Sequence, residues 1–166
     1  MDLLKQARMN EDVEVVHYAI TAMVELSKEY DFRMQKLEKL YAAPPNDPEI
    51  LKQYCDFMEE YLNQGILEAQ MEKMQRERYV QMLRQRLALK PELHTCICLF
   101  KNLMINGDYV QAEEVLNMID EKWHRREEFW LLKIQYLAEQ KRGNELHESL
   151  RQMKEEHIYQ IGRASC

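Results

Sequence analysis

The stretch 96–119, CICLFKNLMINGDYVQAEEVLNMI, decides how this sequence is read. Cys96, Leu99 and Leu103 recur at helical spacing, "NGD" at 106–108 interrupts the pattern, and Ala112, Leu116 and Ile119 resume it. That pattern predicts helices over roughly 92–105 and 108–121 joined by a short loop, which makes them antiparallel neighbours.

The rest of the chain follows the same grammar. Four glycines and four prolines among 166 residues, with Leu, Met, Glu, Gln, Lys, Arg and Ala dominant, favour an all-α fold. Breaks fall at 43–49 ("APPNDPE"), 63–65 ("NQG"), 89–92 ("LKPE"), 123–127 ("WHRRE") and 142–144 ("RGN"). After 123–127, further helices are expected over roughly 126–140 and 144–157, joined at the last break, with residues 162–166 as a frayed tail.

Upstream, Val13, Val16, Ile20, Met23, Ser27, Tyr30, Met34, Leu37 and Tyr41 form one seam on a helix of about eight turns. A second stripe, Val15, Ala19, Ala22 and Leu26, covers its first half, so the start should be packed on two sides and the end on one. Asn10 or Asp12 can cap that helix, and residues 2–9 read as the remainder of another. Asp47-Pro48-Glu49 is a strong helix start: the Asp accepts from the first turn, Pro presets φ and Glu meets the positive dipole end. Leu51, Tyr54, Met58 and Tyr61 make the buried face of that helix, and Gly65 lets the chain turn. The next helix, 66–89, is expected to bury Leu67, Met71, Met74, Met82, Leu83 and Leu87.

On these residues the 96–119 stretch resembles the tetratricopeptide repeat, a helical hairpin of about 34 residues. Cys96 stands at its Trp position, Leu99 at its Leu and Leu103 at its Tyr; Gly107 and Tyr109 fit the turn, the resemblance makes Ala112 the small residue where the two helices touch with Leu116 and Ile119 filling the groove behind, and Phe100 and His124 depart from the motif. A looser copy carries Trp130, Leu137, Gly143, Leu146, Ser149 and Met153. A third, tetratricopeptide-like only, has Tyr54, Phe57 and Tyr61, with Gln70 where a small residue belongs. "EDVEVVHYAITAM" resembles the second helix of a HEAT-type repeat through Asp12, Glu14, Val15, Ala19, Ala22 and Met23, with Val16 where Arg is usual.

The expected architecture is therefore an α-solenoid, with a HEAT-like region over 1–43 and tetratricopeptide-like hairpins over 44–90, 91–125 and 126–161. The phrase "EVVHYAITAMVELSKEYD" and this domain order also resemble the cytoplasmic region of a membrane-anchored Pel-type exopolysaccharide secretion component. That resemblance implies a piece of a larger protein. The tetratricopeptide family's inward-facing positions transfer to Lys52, Glu59, His94, Lys101, Met104, Glu128 and Gln135 as partner contacts.

Chemistry-bearing residues have plainer readings. His17 beside Tyr18 has only Glu14 within one helical turn to orient it, so the pair reads as packed helix surface. Cys96 and Cys98, two apart on a helix, point away from each other and read as buried apolar cysteines; with His94 they lack a second ligand pair, and no metal is expected. Arg76, Arg78, Arg84 and Arg86 around Tyr79 form a basic patch or a solvated face with partners such as Glu72. The eleven methionines read as core fillers or as adaptable partner surface. No phosphate-binding loop, dinucleotide fingerprint, nucleophile elbow or HExxH is present, so neither catalytic residues nor a cofactor is expected.

A net charge of −6 argues against direct nucleic-acid binding, and the lack of an 18-residue apolar run argues against insertion in a membrane. Four cysteines without framework spacing and no leader-like start suit the cytoplasm. The expected function is a non-enzymatic scaffold for a peptide or partner protein. The alternatives are a peptide-sensing regulator acting through a nucleic-acid-binding partner, and an oligomerisation module using the 13–41 seam.

Overall fold

The computed structural model describes residues 13–40 and 45–164, with the backbone alone for 13–16, 40 and 157–164. The described residues are all-helical: α1 (Val13–Leu40), α2 (Pro48–Asn63), α3 (Ala69–Leu89), α4 (Leu93–Asn106), α5 (Tyr109–Trp123), α6 (Glu127–Glu139) and α7 (Gly143–Ala164). They divide into two compact units, the described residues up to Lys90 and those from Pro91 onward. The expectations for residues 2–12 and for Tyr41 lie outside the described residues.

In the first unit, α2 begins where its capping chemistry places it. The Asp47 Oδ1 accepts from the backbone N–H groups of Glu49 at 3.0 Å and Ile50 at 3.1 Å, and Pro48 opens the helix. Helices α2 and α3 pack together across a turn in which Gly65 takes a φ of +67°. Leu51, Met58, Met82 and Leu83 are almost wholly buried there, and each contributes about 1.5–3 kcal/mol of apolar transfer.

The buried stripe of α3 differs from the expected one. It runs Gln75, Arg76, Tyr79, Val80, Met82, Leu83 and Arg86, whereas Met71 and Met74 are 42% and 54% exposed. Counting only apolar residues misplaced it, because the stripe contains an amide and two arginines whose aliphatic stems pack while their heads find partners.

Helix α1 extends over the 28 residues its periodicity implies. Tyr30 and Met34 of the seam are buried, and Met23, Ser27 and Leu37 are half-buried. At its start, Ala19 of the second stripe is buried but Ile20 of the seam is 46% exposed, so Ile20 does not share the packing expected of it. His17 is exposed and Tyr18 is 72% exposed, which corrects their reading as packed residues.

In the second unit, α4 packs on α5, α5 on α6 and α6 on α7. Cys96, Leu99, Leu103, Ala112, Leu116 and Ile119 are buried as the hairpin pattern requires, and so is Phe100, despite departing from the family pattern. Gly107 closes α4 in the left-handed region, φ 78°, with its N–H on Met104 O and the Asp108 N–H on Leu103 O. Helix α6 ends with the same pair of bonds, Lys141 N–H to Ala138 O and Arg142 N–H to Leu137 O. Here the left-handed residue is Lys141, φ 54°, and not the nearby Gly143, which opens α7. Helix α7 continues to Ala164, through the start of the segment expected to fray.

Three substitutions check this packing. Ala112→Leu puts three carbons into a site that is 0% exposed and should cost about 1–3 kcal/mol by urea unfolding, whereas Val110→Ala, at a 76% exposed position, should stay within about 0.5 kcal/mol. Lys141→Gly relieves a left-handed side chain and should raise stability by about 0.5–1 kcal/mol in the same assay.

Candidate functional site

The structure distributes the residues expected to meet a partner over both units. Lys52, His94, Lys101, Glu128 and Gln135 are exposed, Glu59 is half-buried, and Met104 is 8% exposed and so sits among packed side chains. In the second unit, Phe100 of α4 and Tyr136 of α6 meet edge-on, ring centroids 6.4 Å apart. This contact joins the first helices of two consecutive hairpins, and the exposed Lys101 and Gln135 are the sequence neighbours of its two rings. Around His94, the ring Nε2 lies 3.5 Å from the Cys98 Sγ one turn along the helix. Cys96 and Cys98 are both buried, and burial pushes the Cys96 thiol up.

The four arginines of α3 do not share one open face. Arg76 is buried and its guanidinium holds Glu72 at 2.8 Å; Arg86 is buried, Arg78 is half-buried and Arg84 is exposed. Arg78 reaches across the unit, donating to Glu38 of α1 at 3.1 Å and to the Tyr54 hydroxyl of α2 at 2.9 Å. As a basic patch for a phosphate or acidic peptide the group is therefore largely committed to intramolecular contacts.

Two tyrosines fasten α1 to α2. The Tyr30 hydroxyl donates to Glu60 at 2.7 Å, and in the reverse direction the Tyr61 hydroxyl donates to Asp31 at 3.0 Å. Their rings stack at 5.7 Å, with Phe57 at 5.9 Å from each. Both phenols are pushed up to about 12, first by burial and then by the carboxylate each one faces, which would repel a phenolate.

Beside this crossing, α1, the α2–α3 connection and the start of α3 enclose a groove of about 430 Å³. Met34, Tyr61, Ile66, Leu67 and Met71 give it an apolar lining. Its charged lining residues are Asp31, Glu38 and Glu68, all acidic. Gln75 completes the wall; it is 7% exposed and its Oε1 has no hydrogen-bond partner among the described residues. Sequence reasoning passed over Gln75 because an amide on a charged helix looks solvated. Its signal was position: Gln75 lies one turn from Glu72 and Tyr79, on the stripe that α3 buries.

The second unit holds a smaller cleft of about 170 Å³ between α5, α6 and the start of α7. Arg142 spans its rim, donating to Glu113 at 3.0 Å and to Glu145 at 2.6 and 2.8 Å, and Tyr136 donates to Glu113 at 3.2 Å. Arg142 holds the Glu113 carboxyl below the usual carboxylate range, helped by Tyr136 and opposed by partial burial. These groups satisfy one another, so the cleft reads as a polar joint between helices.

Among the described residues, no helix is long and apolar enough to cross a membrane. Compared with known proteins, the chain matches no family model, no curated protein and no solved structure.

The tyrosine crossing has a pH signature. The folded chain holds the Tyr30 and Tyr61 protons up to about 12, whereas the unfolded chain releases them near 10, so their stabilising effect is complete below about pH 10 and falls away between 10 and 12. Urea midpoints measured across pH 8–12 should drop steeply above pH 10. In the Tyr30→Phe/Tyr61→Phe double variant that drop should shrink, while each single change costs about 1–2 kcal/mol at neutral pH.

Proposed function

We propose that this chain is a non-enzymatic protein-interaction scaffold, an α-solenoid of helical hairpins that holds a peptide or partner protein. The observation that carries the reading is the Phe100–Tyr136 contact. It joins the first helices of two successive hairpins, which supports stacking of the kind a repeat array uses, and Lys101 and Gln135 are exposed beside it. Helical walls of this kind offer a rigid surface whose exposed side chains select a partner without a reactive centre. The resemblance of 14–31 to Pel-type secretion components makes an exopolysaccharide-export assembly, on the cytoplasmic side, the setting in which to look for that partner.

A second reading, self-association, is favoured by the side chains that α1 leaves outside. Tyr18, Ile20, Val24 and Phe32 are 72%, 46%, 47% and 59% exposed, while Tyr30 and Met34 of the seam first expected to oligomerise are buried within the unit. Such a dimer would use these exposed side chains of α1, of which Ile20 alone belongs to the seam that the periodicity of 13–41 suggests.

Affinity capture with the intact chain from its native host, followed by binding of the purified partner, tests the scaffold. Recovery of a partner whose affinity falls tenfold or more with Lys101→Glu/Gln135→Lys is expected. Recovery of this chain alone, dissociating with Val24→Lys, would replace the scaffold by the self-association reading.

A further inference from the structure

We propose that the groove between α1 and α3 of the first unit binds a basic side chain, arginine or lysine, carried by a peptide segment of the partner and flanked by apolar residues. This rests on the scaffold reading and gives it a specific binding site.

The first ground is an unmet hydrogen bond. Gln75 is 7% exposed, lines the groove, and has a buried Oε1 without a partner among the described residues. A buried amide oxygen left in that state costs about 1–3 kcal/mol, a cost a fold avoids easily by placing Met or Leu there. Groups that break a local rule without a structural gain are typical of binding sites.

Charge gives the second ground. The groove's acidic lining is Asp31, Glu38 and Glu68. Asp31 takes one bond from Tyr61 and Glu38 one from Arg78, and a carboxylate has further acceptor sites beyond each of these. Glu68 precedes α3 and makes no side-chain cap bond. The charged wall is thus a set of carboxylate acceptors. An ammonium has three donors and a guanidinium five, and neither has an acceptor.

Size and continuity point to a peptide rather than a free amine. The groove falls within the roughly 300–1,000 Å³ typical of ligand pockets. Through the shared Glu68 and Met71 it continues into a second depression of about 450 Å³ along α3, lined by Met74, Lys73 and Glu77. Met71 and Met74 are exposed and offer flexible apolar contact beyond the charged end, suited to the neighbours of a basic residue.

The test is affinity selection of random peptides displayed on phage against the full chain, followed by fluorescence binding of the enriched peptides. They should carry Arg or Lys beside Leu, Ile or Met. Met71→Lys, which sets a positive charge in the groove at a 42% exposed position, should weaken them tenfold or more while leaving the melting temperature unchanged. Glu68→Gln should weaken them several-fold and flatten the dependence on salt. Enriched peptides that bind both variants as well as the parent overturn the groove and leave the scaffold standing. Peptides displaced by micromolar spermidine at constant ionic strength overturn the peptide assignment in favour of a polyamine. Failure to enrich any peptide, together with capture of no partner from the host, overturns both.

Discussion

The first unit depends on how α1 is held against the α2–α3 hairpin, and the reciprocal tyrosine pair does the holding. Tyr30 of α1 donates to Glu60 of α2 while Tyr61 of α2 donates to Asp31 of α1, and their rings stack between the two bonds. Each tyrosine buries its ring as apolar area and carries its hydroxyl to the edge, where a carboxylate in contact with water accepts it. The arrangement lets a long, sparsely apolar helix dock without burying a charge. Arg78 adds a third tie by bridging Glu38 and Tyr54. The acidic groove is a by-product of this geometry: α1 is fixed at Tyr30 and Met34, and the space between it and the start of α3 is lined by what the neighbouring turns present.

The second unit is governed by hairpin geometry. Ala112, at 0% exposure, lets α4 and α5 approach, and the left-handed turn at Gly107 satisfies the last carbonyls of α4 as it reverses the chain. The next hairpin repeats the closure at Lys141, with a side chain where glycine would be easier. Tyr136 and Arg142 converge on Glu113, tying α5, α6 and the connection to α7 together.

Much of this was legible in the residues. The α2 start followed from Asp47-Pro48-Glu49, the α4–α5 pair from Gly107 and Ala112, and the length of α1 from its periodicity, because each rests on local chemistry that tertiary contacts do not override. The groove was not legible. Gln75 and Arg76 occupy a buried stripe that hydropathy assigns to solvent, and Met71 and Met74 face the outside although hydropathy assigns them to the core. Partners that reverse such assignments, such as Glu72 for Arg76, reveal themselves only once the helices are placed. The reciprocal Tyr30–Glu60 and Tyr61–Asp31 bonds join residues about thirty apart in sequence, a separation at which spacing carries no signal.

The first unit stands on the docking of α1 on α2 through stacked tyrosines. Nuclear Overhauser contacts among the ring protons of selectively labelled Tyr30, Phe57 and Tyr61 test it most directly. Cross-peaks linking Tyr30 to both Phe57 and Tyr61 are predicted. Cross-peaks between Phe57 and Tyr61 alone would show α2 folded with α1 undocked, and would contradict both the crossing and the groove it creates.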